Sequence, residues 1–138
     1  MHLHELIHRA LALSLVAVSC CSQARAEERP LHGGELRSAG PYRLELVTAH
    51  NEIAVYVSDL SGRELATAGG KGKAVVHSGG RSAGIVLQPI EPNILGGRGR
   101  YRLTRSSVVY VTIALPHARA HRAVFRPLSE TPPRRSKH

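Results

Sequence analysis

Hydrophobic and polar residues alternate along several short segments of the chain. In residues 42–47, for example, Tyr42, Leu44 and Leu46 fall on one face and Arg43 and Glu45 on the other. This period of two is typical of a β-strand with one buried face. After residue 26 no segment carries the apolar stripe of a helix of about ten residues or more. The predicted strands are residues 42–47, 53–58, 73–77, 84–88, 98–104, 108–115 and 122–126.

About seven short strands separated by turn residues predict an all-β domain, specifically a small antiparallel β-sandwich that is immunoglobulin-like in its broad architecture. The chain's 13 glycines and 8 prolines suit such a turn-rich fold. Val124 and Phe125 are neighbours and point to opposite faces, so only one of them can face the core. The candidate core residues are Leu44, Leu46, Val55, Val57, Val75, Val86, Tyr101, Leu103, Val109, Val111, Ile113, Val124 and Phe125.

The start of the chain has the pattern of a secretory signal peptide. Residues 11–19 form an uncharged, mostly apolar run. As a helix this run would be about 14 Å long, against about 30 Å of hydrocarbon, so it is too short to span a bilayer. The small residues Ala24 and Ala26 suit signal peptidase. We therefore predict a signal peptide over residues 1–26 and a protein exported to the bacterial periplasm.

A second interpretation of the leader involves Cys20, which follows a small residue as in a lipoprotein signal. Lipidation of Cys20 would anchor the protein in the cell envelope, and this is the only route by which we expect it to contact a membrane. Both cysteines, Cys20 and Cys21, precede residue 26. A chain cleaved after Ala26 therefore forms no disulfide and offers no thiolate ligand to a metal.

The remaining chain divides into a polar lead-in, a single domain and a tail. Residues 27–31 form the lead-in, and residues 32–128 contain all the predicted strands. Residues 129–138 are basic and contain paired prolines, so we expect them to be disordered. No Gly-x-Ser-x-Gly elbow, Walker loop or carboxylate pair is present, and we expect the protein not to be an enzyme.

Positive charge is the strongest compositional feature. Lys and Arg number 19 against 10 acidic residues, which gives a net charge of +9. In the predicted strand 98–104 the alternation places arginines on one face and Tyr101 on the other. This face is either a solvated strand edge that resists aggregation or a site for a protein partner or an anionic envelope polymer. Export argues against nucleic acid. The arginines concerned are Arg98, Arg100, Arg102 and, just beyond the strand, Arg105.

Histidine is the residue type that points to metal chemistry, because neutral imidazole binds zinc, copper(II), nickel and cobalt. His32 is followed by two glycines, which would leave room for a ligand. His117 and His121 lie close together in a predicted loop, where they are either solvated side chains or two ligands of one ion. A complete site would need side chains brought together from distant segments. The candidate ligands are His32, His50, His77, His117 and His121.

Several short motifs occur along the chain in a characteristic order. They are His32-Gly33-Gly34, residues 42–47, residues 53–59 with Gly62, and residues 72–74, 86–89, 93–95 and 123–125. This order resembles that of a group of small exported bacterial proteins of heavy-metal resistance and efflux neighbourhoods, and it is similar to the N-terminal module of heavy-metal efflux periplasmic adaptor subunits. The resemblance implies a periplasmic β-sandwich with a metal-linked role in which His32 takes part.

The sequence therefore leads to two hypotheses about function. The first is an accessory protein in heavy-metal handling, which binds a divalent metal weakly through histidine or docks on an efflux adaptor. The second is a metal-free interaction module that binds a protein partner or an anionic envelope polymer through a sheet edge and its arginines. We expect a monomer or a weak dimer, because an uncovered edge strand can pair two chains.

Overall fold

The computed structural model describes residues 28–129. The predicted β-strand character of the chain is confirmed in this range. The eight strands are all paired antiparallel, and no helix forms within these residues. The all-β prediction is therefore correct. The strands are β1 (Glu35–Ala39), β2 (Tyr42–Ala49), β3 (Glu52–Asp59), β4 (Lys71–Ser78), β5 (Arg81–Glu91), β6 (Ile94–Arg98), β7 (Val108–Ala114) and β8 (His121–Phe125).

All eight strands belong to one nearly closed sheet with the order β1-β2-β3-β6-β5-β4-β7-β8. β5 is the longest strand and joins two halves of the sheet. Its first part, residues 81–87, pairs with β4, and its last part pairs with β6 after a register shift between Pro89 and Glu91. At the seam between β1 and β8, the Arg126 backbone N–H donates to the Glu35 carboxylate, and the rings of Tyr42 and His121 meet edge to face at 5.4 Å.

Inward side chains from both halves form one hydrophobic core, with Phe125 as its largest fully buried residue. The core prediction is correct along β2, β3 and β7 but wrong at Val75, Val86 and Val124. Val86 and Val124 are 65% and 40% exposed, and Ala74 and Val76 are the buried residues of β4. Each error is a shift of one residue, which reverses the face of a strand.

The predicted strand 98–104 is wrong in its boundaries. β6 ends at Arg98, and residues 99–107 form an irregular connection to β7. β1 was not predicted, because its sequence is short and mixes Arg37 and Ser38 with few apolar residues. The predicted turn after β3 is confirmed: Asp59 Oδ1 accepts hydrogen bonds from the backbone N–H groups of Ser61 and Arg63.

Several sequence predictions lie outside the described residues. They are the signal peptide and its cleavage after Ala26, the lipidation of Cys20, and nearly all of the basic tail 129–138. Between residues 28 and 129 there is no helix with the length and apolar character that a membrane crossing requires.

Candidate functional site

Three connections meet at one end of the sheet and surround a cleft of about 990 Å³. They are the β2–β3 turn, the β4–β5 turn and the β6–β7 connection, residues 99–107. The β4–β5 turn consists of Gly79 and Gly80, whose φ values of 57° and 74° lie in the left-handed region that a two-residue hairpin turn requires. This tight reversal places the first residues of β5 at the rim of the cleft.

The β6–β7 connection is held in place by Tyr101, which also lines the cleft. The Tyr101 hydroxyl shares its one proton between the backbone carbonyl oxygens of Ala49 and Glu52, each 2.5 Å away. Burial, with a smaller effect of the Glu52 carboxylate, raises the pKa of this hydroxyl. Tyr101 therefore stays protonated and fixes the connection to the β2–β3 turn. Although the segment is not a strand, Tyr101 is partly buried and packs against the core, whereas Arg100 and Arg102 are exposed.

Arginine supplies the charge of the cleft. Arg81 comes from the start of β5, and Arg100 and Arg102 come from the β6–β7 connection. None of the described residues that line the cleft is acidic. These three side chains are exposed, and they form no ion pair within residues 28–129. Guanidinium groups donate paired, planar hydrogen bonds that match carboxylate and phosphate, so the cleft is suited to an anion.

Of the four arginines that the sequence singled out, two line the cleft and two do not. Arg100 and Arg102 line the cleft, whereas Arg98 forms an ion pair with Glu52 at 2.7 Å. Arg105 follows in the connection and is not part of the lining. Arg81 was missed by the sequence analysis. The signal that could have found it is its position directly after the Gly79-Gly80 turn, where a hairpin strand begins.

His32 is the centre of a second polar cluster, on the outer face of β2 and β3. Its backbone N–H donates to Glu45 Oε1 at 2.7 Å, and its ring Nδ1 lies 2.7 Å from Glu45 Oε2. The Gly34 N–H donates to Glu45 Oε1 at 3.0 Å. The His32 ring stacks on Tyr56 with centroids 3.6 Å apart. A Cβ at Gly34 would lie 2.3 Å from the Leu46 carbonyl oxygen, so only glycine lets the segment pack this closely.

Glu45 is thus a buried carboxylate whose partners come from the segment that precedes β1. Its side chain is 5% exposed, against 36% for His32. Burial raises the pKa of Glu45, but the hydrogen bonds from His32 and Gly34 outweigh that effect, and the net pKa lies below the ordinary value. The carboxylate therefore stays ionised and holds the segment against β2. This role was not recognisable in the sequence, because Glu45 occupies an outward position of an alternating strand.

The other candidate histidines lie apart from one another, and each has a different neighbour. His50 Nε2 contacts the Asn51 side-chain amide at 3.1 Å, and His77 Nδ1 contacts the Ser82 hydroxyl at 2.7 Å. His117 lies in the β7–β8 turn with φ 58°, and His121 packs edge-on against Tyr42. Within residues 28–129, no three His, Cys, Asp or Glu side chains are grouped so as to hold a metal ion.

Comparisons with protein-family models, curated proteins and solved structures found no match to this chain.

Proposed function

We propose that this protein is a non-enzymatic binding module of the bacterial cell envelope, and that it binds carboxylate or phosphate groups of an anionic envelope component. The observation that supports this most directly is the cleft of about 990 Å³. Its lining carries Arg81, Arg100 and Arg102, and the described lining residues include no carboxylate that would neutralise them. Such a cleft attracts an anion and discriminates against a cation.

The binding mechanism is reversible pairing of guanidinium groups with anionic oxygens. Tyr101 fixes the connection that carries Arg100 and Arg102 through two backbone carbonyls. The arginines therefore lose less conformational freedom on binding than they would on a mobile loop. The excess of Lys and Arg over acidic residues accelerates the approach of an anion, and salt weakens this attraction.

Titration calorimetry of the purified protein at low salt tests the proposal, with tripolyphosphate and trigalacturonate as phosphate and carboxylate probes. We expect saturable binding of at least one probe. Arg100→Gln and Arg102→Gln should each weaken it about tenfold, equivalent to about 1.4 kcal/mol. The matched control is Arg119→Gln, which removes the same charge from the exposed β7–β8 connection and should change affinity less than about twofold.

Two results would contradict the proposal. One is the absence of saturable binding by either probe. The other is an equal loss of affinity in Arg102→Gln and Arg119→Gln, because it would mean that net charge rather than the cleft determines binding. Binding of one probe and not the other would identify the anionic group of the ligand.

A second candidate function, divalent-metal handling, is favoured by the geometry of His32. Metal-binding histidines commonly donate the N–H of one ring nitrogen to a carboxylate and bind the metal through the other. The contact between His32 Nδ1 and Glu45 has this arrangement and leaves Nε2 on the far side of the ring. The described residues supply no complete donor set, so the remaining ligands would come from solvent or from a partner such as an efflux adaptor.

Titration of the purified protein with zinc, copper(II), nickel and cobalt tests this second candidate. Weak one-to-one binding that His32→Ala removes and His117→Ala preserves would support it. Equal binding by the two variants would exclude His32 as the ligand.

A further inference from the structure

We propose that the anionic ligand is an extended chain, which runs from the cleft onto the outer face of β4, β7 and β8. This inference rests on the proposed function of the cleft and names the form of its ligand. The second part of the site is a row of side chains that we call the basic strip. It consists of Ser82, His77, Lys73, Tyr110 and Arg122.

The basic strip is continuous with the cleft through a series of side-chain contacts. Ser82 lines the cleft, and its hydroxyl lies 2.7 Å from His77 Nδ1. The His77 ring meets Tyr110 edge to face, with centroids 5.3 Å apart. The Arg122 guanidinium carbon lies 4.4 Å from the centre of the Tyr110 ring. Contacts therefore link the cleft to the outer face without a break, across β5, β4, β7 and β8.

These side chains point outward, because each has an immediate neighbour on its strand that belongs to the core or packs against it. In β7, for example, Val109 and Val111 are fully buried on either side of Tyr110, and in β8 Ala123 is buried beside Arg122. Arg122 stacks on an aromatic face, which leaves the N–H groups at the edge of its guanidinium plane available to an anion.

Lys73 belongs to the strip because β5 provides space for its side chain at Gly84. A Cβ at Gly84 would lie 3.2 Å from Lys73 Cε. Gly84 pairs with Val75, between the positions of Lys73 and His77 along β4. The lysine side chain therefore leans over β5 in the direction of the cleft, and its ammonium group continues the row of cations.

No carboxylate lies on the strands that form this path. β4, β7, β8 and residues 81–87 of β5 contain no aspartate or glutamate. On these strands, a chain with repeated negative charges therefore meets only cationic, neutral polar and apolar side chains. The strands that face this path thus favour a polyanion over a cationic or zwitterionic partner.

The length of the strip indicates how long the ligand must be. His77 and Lys73 are separated by about 13 Å along β4, since a strand rises about 3.3 Å per residue. A single phosphate or carboxylate group in the cleft cannot reach Lys73. Short anions should therefore bind to the cleft alone, whereas longer chains should bind to the cleft and the strip together and gain affinity through the second contact.

The experiment compares short and long chains in wild type and in Lys73→Gln/Arg122→Gln. The probes are tripolyphosphate against polyphosphate of about ten units, and trigalacturonate against galacturonate chains of similar length, chosen so that each chain exceeds the strip. The matched control is Arg29→Gln/Arg119→Gln, which removes two exposed charges outside the cleft and the strip. Circular dichroism and a thermal melt confirm that each variant is folded.

We expect the wild type and the control to bind the long chain at least about tenfold more tightly than the short one. The double variant should bind the short chain as the wild type does and should lose the gain for the long chain. For the long chain, the slope of log affinity against log salt concentration should become less steep by about two in the double variant, one for each lost contact.

Three outcomes would overturn the inference. If the double variant keeps the gain for long chains, the strip does not contact them. A second such outcome is that long chains bind no more tightly than the short chain, while vesicles of anionic phospholipid bind and lose affinity in the double variant. The outer face then docks on a lipid surface instead. If neither short nor long chains bind to the wild type, the proposed function of the cleft fails and this inference fails with it.

Discussion

The two halves of the sheet differ in how they use charge. β1, β2 and β3 contain Glu35, Glu45, Glu52 and Asp59, and each of these carboxylates has a partner. β4, β7, β8 and residues 81–87 of β5 contain no carboxylate at all. We call these the paired half and the acid-free half. The charges of the paired half help to hold the fold together, whereas the cations of the acid-free half remain available to a ligand.

In the paired half, the contribution of each carboxylate depends on its burial. Glu52 and Arg98 are 48% and 84% exposed, so their ion pair contributes little to stability. Glu45 is 5% exposed and accepts bonds from two backbone N–H groups and a histidine ring. Glu45 is therefore the one carboxylate of this half on which we expect the fold to depend strongly.

In the acid-free half, the cations have no such structural partners on their own strands. Arg122 covers the Tyr110 ring, and Lys73 leans over Gly84, but neither forms an ion pair within residues 28–129. Substitutions in this half should therefore change ligand binding much more than stability. Substitution of the buried Glu45 in the paired half should do the reverse.

The largest expected effect is that of Glu45→Ala. It leaves two N–H groups and the His32 ring without their acceptor, and we expect a loss of about 3 kcal/mol in the free energy of unfolding. Urea denaturation measures this loss. The control is Glu64→Ala, at an exposed position, which should cost less than about 0.5 kcal/mol. Similar losses in the two variants would show that the contacts of Glu45 do not stabilise the fold.

The second prediction concerns acid. The pKa of Glu45 is lowered in the folded protein, so the folded state binds fewer protons there than the unfolded state, whose ordinary value is 4.5. This contribution to stability is complete above pH 4.5 and is lost as the pH falls through the lowered pKa. Urea denaturation from about pH 6 to pH 3 should show the decline, and Glu45→Gln should make it shallower. An identical pH profile in the variant would contradict the prediction.

The third prediction places a carboxylate in the acid-free half. Thr112 on β7 pairs with Lys73 on one side and with Arg122 on the other. Thr112→Glu should change the free energy of unfolding by less than about 1 kcal/mol, because cross-strand ion pairs on an open face are weak. It should remove the gain in affinity for long anionic chains, whereas Thr112→Gln should keep it. Retention of the gain with the glutamate would argue against the basic strip.

The smallest expected effect comes from removing a carboxylate beside the cleft. Glu52→Gln releases Arg98, which lies next to the connection that carries Arg100. Tripolyphosphate should then bind about twofold more tightly at low salt, and the difference should fade as screening increases. Stability should change by less than about 0.5 kcal/mol. Weaker binding in this variant would contradict the prediction, because it would mean that the ion pair of Glu52 with Arg98 supports the cleft rather than opposing the anion.

Sequence reasoning succeeded where alternation is strict and failed where apolar residues are adjacent. In residues 42–46 of β2 polar and apolar residues alternate, and the predicted core residues Leu44 and Leu46 are buried. In β4 the adjacent residues Val75 and Val76 allow either face, and only packing against β5 and β7 selected Val76. The same ambiguity explains the error at Val86, which is flanked by two apolar residues.

The candidate site was only partly predictable. Sequence alone identified Arg100 and Arg102 as a basic group, but it placed them on a strand that does not form. Their position in a cleft depends on Tyr101, which bonds to carbonyls of residues far away in the sequence. Arg81 lies beside them only because the β4–β5 turn is at the same end of the sheet as the β6–β7 connection. His32 was singled out by its glycines, whereas its partner Glu45 was recognisable only in the folded chain.

The antiparallel strands and the excess of positive charge follow from the residues alone, because alternation and charge are local properties. Which charges are neutralised and which remain available is set only in the folded chain. That outcome depends on contacts between residues distant in sequence, such as Glu45 with His32 and Arg98 with Glu52. The closure of the sheet also determined that three connections meet at one end, and this meeting produced the arginine-lined cleft.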